Sequence, residues 1–337
     1  MTTTVAQDRP LRESRRQRVL PAPVTGQEVV LIGVISLLWL VLAFTTPAFF
    51  TAGSIQPLLG AVAPIAIIGI GMTVVIITAG IDVSVGAAIA VCAVVIAKFV
   101  LVQAGQGLVV AVVVGVIAGG LMGLLNGALI AYGRVHAIII TFGTANLFLW
   151  LSLQFFGSST VNNIPDTLAV LGNGAAGRAL GIPNSFLIAV VLAALAWLYL
   201  RHTAGGRHFY AIGGDPVAAE LAGINVRRRV LLAYVLTGLL VGLASSIIVA
   251  QGSNLGQSVG TGKELAVIAA VVIGGTSITG GRGSVLGTVL GALLVQTVAS
   301  GVTQLGWRSE LSDLFVGIAI IIAVGADLIR ERARRKK

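Results

Sequence analysis

Glycine-rich segments are the first candidates for chemistry, because the backbone amides of such loops bind phosphate groups. The pair Gly262-Lys263 is similar to the end of a P-loop. The first glycine of that motif falls on Gln257, however, and its Ser or Thr falls on Glu264. The segment Gly281-x-Gly283 lacks the third glycine of a dinucleotide site, because Leu286 stands at that position. The sequence therefore predicts no nucleotide cofactor bound by this chain.

The residue types that hold metals or carry acid–base chemistry are scattered. His136, His202 and His208 are too dispersed for a metal site, and no pair of carboxylates lies inside an apolar segment. The single cysteine, Cys92, lies inside such a segment, where a free cysteine is usually a small buried side chain. We therefore expect no metal site and no catalytic site, and a protein that is not an enzyme.

The elements that must position any remaining site are membrane-spanning helices. Hydrophobic residues make up 56% of the 337 and charged residues only 10%, against about 25% charged in soluble domains. A span needs about 20 apolar residues. Ten such segments predict an all-α polytopic membrane protein: 29–45, 55–79, 83–100, 107–131, 136–157, 184–201, 229–251, 264–280, 284–302 and 311–329.

The positive charges suggest an orientation for these ten spans. With the N-terminus inside, 18 of the 22 Lys and Arg residues lie on the cytosolic side, as the positive-inside rule requires. We expect basic cytosolic tails at 1–28 and 330–337, a transmembrane domain over 29–329, and no nucleic-acid partner. The run after residue 28 has no signal-peptide cleavage pattern, so it predicts an uncleaved first helix.

Glycines recur every fourth residue along three predicted helices. Small residues at this spacing let helix backbones approach closely in lipid. Packing within one chain is favoured, and a seam between two copies stays open as the alternative. The stripes are Gly115, Gly119, Gly123 and Gly127; Gly238 and Gly242; and Gly283, Gly287 and Gly291.

The internal loop 202–228 contains a short capped helix. Asp215 followed by Pro216 is typical of an N-cap and first helical position, and Gly223 of a C-terminal stop. Such a helix presents Ala218, Ala219, Leu221 and Ala222 to a partner's groove, with Glu220 nearby. From the residues alone, a docking surface and a solvated surface helix both stay open.

Two glycine- and threonine-rich breaks interrupt the apolar pattern and hint at a weak internal repeat. In one, Ser284 is the expected N-cap of the following helix. In the other, 78–86, Asp82 is most simply an N-cap, with a gating or ion-pair role as the alternative. Irregular backbone in a membrane needs burial or a water-filled cavity.

Four segments carry a resemblance to a known family: "GIDVSVG" at 80–86, "ITFGT" at 140–144, "YAIGGDPVAAELAGINV" at 210–226 and "AVVIGGTSITGGRGSVLGTVLGA" at 270–292. From about residue 47 the chain resembles the ribose-type branch of ABC importer permeases. The resemblance implies a bacterial inner-membrane protein, a second permease copy or homologue, a cytosolic ATPase that binds the ATP, and an external solute-binding protein. It also implies that the capped helix couples to the ATPase through Gly214, Asp215, Pro216, Ala219, Glu220, Ala222 and Gly223.

Polar residues within the predicted spans are candidates for a solute path. Interhelical hydrogen bonding explains any one of them equally well. A path with amides and hydroxyls but no buried charge suits a neutral sugar better than an amino acid zwitterion. The candidates are Asn126, Thr141, Thr144, Asn146, Gln154, Gln296 and Thr297.

Other cargoes and one other class of transporter remain open. A sugar-like autoinducer or a branched-chain amino acid is possible within the same family. An ATPase-independent secondary transporter would need a buried ionisable residue, and the sequence shows none clearly within a span. Val135-His136-Ala137 stands where the family often has a Pro-Pro or Pro-Phe pair, so the usual bend before the fifth span is not expected.

Overall fold

A computed structural model describes residues 26–157, 160–162, 164–172, 174–252 and 254–335; the side chains of 326–335 are outside the description. Most of the predicted N-terminal tail thus lies outside the described residues. The α-helices are α1 Gly26–Thr45, α2 Ala52–Ile77, α3 Val85–Val94, α4 Leu108–Ala131, α5 Ala137–Phe156, α6 Asn184–His202, α7 Ala204–Gly214, α8 Pro216–Leu221, α9 Val226–Gln251, α10 Lys263–Ile273, α11 Val285–Gln304 and α12 Glu310–Arg335. A π-helical stretch, Val95–Gln103, continues α3.

Eight helices of the described part are long and apolar enough to cross a membrane: α1, α2, α3 with its π-helical extension, α4, α5, α6, α9 and α11. Each agrees with a predicted span to within three residues at either end. The eighth predicted span, 264–280, is wrong as a full crossing. Its helix, α10, has 11 residues and ends before a turn that includes Gly275 at φ +97°. The last predicted span corresponds to α12, which continues six residues past its expected end.

The centre of the bundle is α2. Every residue from Val62 to Ile77 is buried, and α2 contacts α6, α7, α9, α10 and α11. Outer helices instead expose large apolar side chains: Phe44 of α1 is 83% exposed and Phe142 of α5 is 65% exposed. Exposed apolar surface on this scale suits lipid rather than water, so the chain is a multi-pass membrane protein.

The glycine stripes join helices of the same chain. A Cβ on Gly119 would collide with the Gly238 backbone of α9, and one on Gly242 would collide with Gly115 of α4. In the same way, a Cβ on Gly291 of α11 would collide with Ala270 of α10, and one on Gly287 with Gly274 directly after α10. These close approaches confirm the packing predicted within one chain.

The segment between α5 and α6 closes the end of the bundle where α2 begins. It contains 3-10 turns at Asp166–Leu171 and Ala175–Gly177, and a short antiparallel pair, β1 Arg178–Ala179 with β2 Ile182–Pro183. The Gln56 amide at the start of α2 donates to the Gly181 carbonyl at 3.1 Å. This end is therefore opposite the end where α2 finishes at Ile77.

Candidate functional site

The short helix α8 has the predicted caps. Asp215 accepts hydrogen bonds from the amides of Val217 at 2.9 Å and Ala218 at 3.0 Å. At the other end Gly223 adopts φ +82°, and its amide donates to the Glu220 carbonyl at 2.9 Å. The same bonding pattern, with left-handed glycine after the last turn, stops many helices.

The exposed face of α8 differs from the predicted one. Ala219 is only 4% exposed and packs inward, so its side chain is not part of the outer surface. Val217 and Leu221, four residues apart on one face, are 67% and 86% exposed. Gly214, Asp215, Pro216, Glu220 and Ala222 are also exposed. An apolar pair therefore stands at the free end of the bundle.

Helix α7, which precedes α8, was not predicted because it contains four glycines. Thr203 caps it by accepting from the Gly206 amide at 3.0 Å. Gly213 near its end packs directly on the Ile77 carbonyl of α2 and on the Gly281 amide. The Tyr210 hydroxyl donates to the Gly283 carbonyl at 3.1 Å; burial raises the pKa of this hydroxyl, which keeps it protonated as a donor.

The two predicted breaks meet at this same end, which we call the α8 end. The Gly281 amide donates to the Ile77 carbonyl at 2.9 Å. Ser284 caps α11 through the Gly287 amide at 3.2 Å, as predicted. It also donates to the carboxylate of Glu28, which is 2% exposed in the first turn of α1. The start of α1 is thus bound to the turn between α10 and α11.

A buried polar network lies behind the α2–α3 break. Asp82, 3% exposed, accepts from the Ser84 amide at 2.9 Å and from its hydroxyl at 2.6 Å. The Asn126 amide of α4 donates to Ser84 Oγ at 2.8 Å, and the Thr144 hydroxyl of α5 donates to Asn126 Oδ1 at 2.6 Å. The N-cap residue of α3 is Ser84, so the N-cap assignment of Asp82 is wrong. Asp82 is also a buried ionisable residue that the sequence did not place inside the bundle.

A crevice of about 240 Å³ lies between α3, α5 and the segment 257–264. Its polar lining side chains are Asn146, Gln257, Thr261 and Glu264, and its other lining residues are Val83, Gly86, Ala87, Ala90, Phe142, Ala145 and Leu149.

The crevice lies near the middle of the bundle's depth. The Gln27 side chain donates to the Ile273 carbonyl at 3.3 Å, so the C-terminus of α10 is at the α8 end. With 11 residues α10 rises about 16 Å, roughly half the hydrocarbon thickness. Its N-terminus, with Glu264, therefore stands about halfway across. At the outer rim, Gln257 donates to the Gly157 carbonyl at 2.5 Å.

The predicted path residues fall into separate environments. Only Asn146 lines the crevice. Asn126, Thr141 and Thr144 are buried and bonded between helices, the alternative left open from the sequence; Thr141 donates to the Ile81 carbonyl at 3.2 Å. The others lie elsewhere: Gln154 exposed on α5, Gln296 half-buried on α11, and Thr297 buried and accepting from the Trp39 indole of α1 at 3.2 Å.

Sequence reasoning missed Gln257, Thr261 and Glu264. They precede or open α10 in a stretch with no periodicity, and the only signal was Gly262 ahead of a charged pair. Gly262 adopts φ +78° and is the N-cap residue of α10. Within the described ranges, no group of three His, Cys, Asp or Glu side chains is placed to hold a metal ion.

Comparison with known proteins places the chain in a transport family. Residues 54–324, about four fifths of the chain, match a family described as the permease component of branched-chain amino acid transport systems. No solved structure shows a significant match.

Curated relatives match over most of both sequences. The ribose import permease RbsC of Escherichia coli K12 is 37% identical over 300 residues, covering 89% of this chain and 91% of that protein. The fructose import permease FrcC of Rhizobium meliloti is 35% identical, covering 83% and 79%. The ribose import permease RbsC of Bacillus subtilis 168 is 36% identical, covering 86% and 89%. The chain therefore belongs to the family of permease components of branched-chain amino acid transport systems.

Proposed function

We propose that this chain is the membrane permease subunit of an ABC importer for a monosaccharide, moved by a separate ATPase that docks on α8. The observation that carries the proposal is the continuous packing between the exposed α8 and the mid-depth crevice. A surface that binds a partner is thereby connected to a polar site inside the bundle.

The connection runs through the α2–α3 break. At the α8 end, Gly213 packs on Ile77, the last residue of α2. The break then continues to Asp82, which accepts from Ser84, and Ser84 in turn accepts from Asn126 of α4. Two residues after Ser84, Gly86 lines the crevice beside Glu264. A displacement of α7 and α8 therefore moves the α2–α3 break and, with it, one wall of the crevice.

The exposed pair Val217 and Leu221 supports the docking of a partner. These two aliphatic side chains, on a helix of only six residues, are 67% and 86% exposed. Their burial in the apolar groove of a partner would be favourable, because it removes apolar surface from water. Arg227 and Arg228, both exposed at the start of α9, follow α8 closely in the sequence. We place the α8 end on the cytoplasmic side of a bacterial inner membrane, because the arginines of the loop that contains α8 cluster there. Both termini are then cytoplasmic, and ATP is bound by the ATPase subunit.

The solute class rests on the relatives and on the crevice chemistry. The curated relatives are ribose and fructose import permeases, whereas the family's description names branched-chain amino acids. Four of the eleven lining residues of the crevice carry amide, hydroxyl or carboxylate groups. These groups match the hydroxyls of a sugar better than the aliphatic side chain of valine or leucine. An extracytoplasmic binding protein supplies the sugar in this account, and a second permease completes the pore.

One observation favours a different mechanism, ion-coupled secondary transport. Asp82 is a buried carboxylate within the bundle, the feature that such a transporter needs. Its bonds to Ser84 and, through Ser84, to Asn126 give it a structural role that needs no coupling ion.

Uptake by proteoliposomes tests the solute class. The permease is reconstituted with the ATPase and binding protein of its own system, and labelled ribose, fructose, leucine and valine are compared at equal concentration. We expect ATP-dependent uptake of a monosaccharide and none of the amino acids. Uptake of leucine or valine without uptake of either sugar would contradict the sugar assignment.

A further inference from the structure

The Glu264 carboxylate is the one charged group among the lining residues of the crevice. It is half-buried, and no hydrogen bond or salt bridge joins it to another of the described residues. Lys263 precedes it but is not a lining residue. No ion pair joins the Lys263 and Glu264 side chains, both of which the structure describes. The carboxylate oxygens can therefore accept hydrogen bonds from a molecule that enters the crevice.

The carboxylate lies beside a close backbone contact between α3 and the segment that precedes α10. Gly86 and Gly260 touch, since a Cβ on Gly86 would lie 2.8 Å from the Gly260 carbonyl oxygen. The Glu264 carboxylate rests against Gly86, where any side chain would displace it. Glu264 also lies in the first turn of α10, where the helix dipole favours negative charge. The carboxylate thus lies at the wall of the crevice, beside Gly86 and in the first turn of α10.

We propose, resting on the transport function above, that Glu264 is a specificity-determining residue that accepts hydroxyl hydrogens from a neutral polyhydroxylated solute as it crosses the bundle. An ionised carboxylate only accepts hydrogen bonds, and its bonds from hydroxyl groups are short and strong. The amides of Asn146 and Gln257 and the Thr261 hydroxyl can donate to the same solute. An anionic solute would meet like-charge repulsion, whereas neighbouring hydroxyls of a sugar can donate to both carboxylate oxygens.

The test is the kinetics of ATP-driven uptake by the full complex of permease, ATPase and binding protein in proteoliposomes. The probe is labelled ribose or fructose, whichever the wild-type complex carries. Glu264→Gln keeps the shape of the side chain and removes its charge. We expect kcat to fall roughly tenfold or more, the effect of losing a hydrogen bond to a charged group. KM for the loaded binding protein and the melting temperature of the permease should stay unchanged, since docking occurs elsewhere.

The matched control is Glu310→Gln, which also removes a glutamate from the first turn of a helix. Glu310 is exposed and, among the described residues, pairs with Arg308 in an exposed salt bridge of 3.5 Å, so the kcat of the Glu310→Gln complex should match wild type. Should Glu264→Gln fail to assemble, Glu264→Ala, which needs less space beside Gly86, must show the same fall in kcat. A wild-type kcat in either folded variant would overturn the role of Glu264. A wild-type complex without ATP-dependent uptake of either sugar would instead contradict the transport function itself.

Discussion

Two adjacent glycines at the end of α7 have different surroundings, although both are helical. A Cβ on Gly213 would collide with the Ile77 carbonyl, whereas one on Gly214 would meet nothing within 4 Å. We therefore expect Gly213→Ala to lower both the melting temperature of the purified permease and its uptake rate. Gly214→Ala should leave the melting temperature unchanged or raise it slightly, because alanine favours the helix by about 1 kcal/mol. Equal melting temperatures of the two variants would contradict the described packing.

Asn126 and Asn146, both predicted from the sequence to line the solute path, should differ in what their substitution changes. Asn126 is 1% exposed and bonds to both Ser84 and Thr144, so Asn126→Ala should cost about 1–2 kcal/mol of stability. Asn146 bonds only to the Phe142 carbonyl of its own helix, at 2.9 Å, and lines the crevice. Asn146→Ala should keep the melting temperature and lower uptake. The measurements are thermal unfolding in detergent and uptake by proteoliposomes; the reverse pattern would contradict these assignments.

Local bonding explains which single residues could be predicted. The caps Asp215 and Ser284 were predicted because an N-cap bonds to amides two or three residues away, a relation written in the sequence. The N-cap prediction for Asp82 was wrong, because its bonds with Ser84 form a turn ahead of α3 rather than a cap on that helix. Thr144 could not be assigned, because its partner Asn126 lies on another helix and only the packing of α4 on α5 brings them together.

At the scale of helices, the central expectation concerns the exposed face of α8. Leu221→Asp should leave the permease folded, since this side chain is 86% exposed. It should weaken binding of the ATPase by roughly tenfold or more, because a charge then enters an apolar contact. The measurement is the affinity of the purified ATPase for the permease in detergent. The matched control is Leu180→Asp, a fully exposed leucine at the opposite end, which should bind the ATPase like wild type. Equal affinities of the two variants would contradict docking on α8.

Apolar run length predicted the long helices well and the short ones poorly. Spans such as 107–131 and 184–201 lie within one residue of α4 and α6 at either end. In α10 the apolar run continues past the helix, because Gly274 and Gly275 end it while the residues beyond are buried against other elements. In α7 glycines mask a helix that is stabilised by its contacts with α2 and the α10–α11 turn. Tertiary packing, which no local pattern records, decides both cases.

For the whole molecule, the described contacts determine which helix ends lie on the same face of the bundle. Labelling can test which of the two faces is cytoplasmic. Cys92 is the only cysteine and is fully buried, so it should not react in the folded protein. Leu221→Cys should react with a membrane-impermeant maleimide in inside-out vesicles only. Leu180→Cys, at the opposite end, should react in right-side-out vesicles only. Labelling of both positions from one side would contradict the arrangement of the spans.

In the proposed mechanism the permease moves solute only when a separate ATPase acts through α8. The most direct measurement is sugar uptake into proteoliposomes that contain the permease and its binding protein, with and without the ATPase subunit and ATP. We expect accumulation against a gradient only when both the ATPase and ATP are present, and we expect the Leu221→Asp variant to lose it. Concentrative uptake by the permease without the ATPase would contradict the account and would favour ion-coupled transport through Asp82.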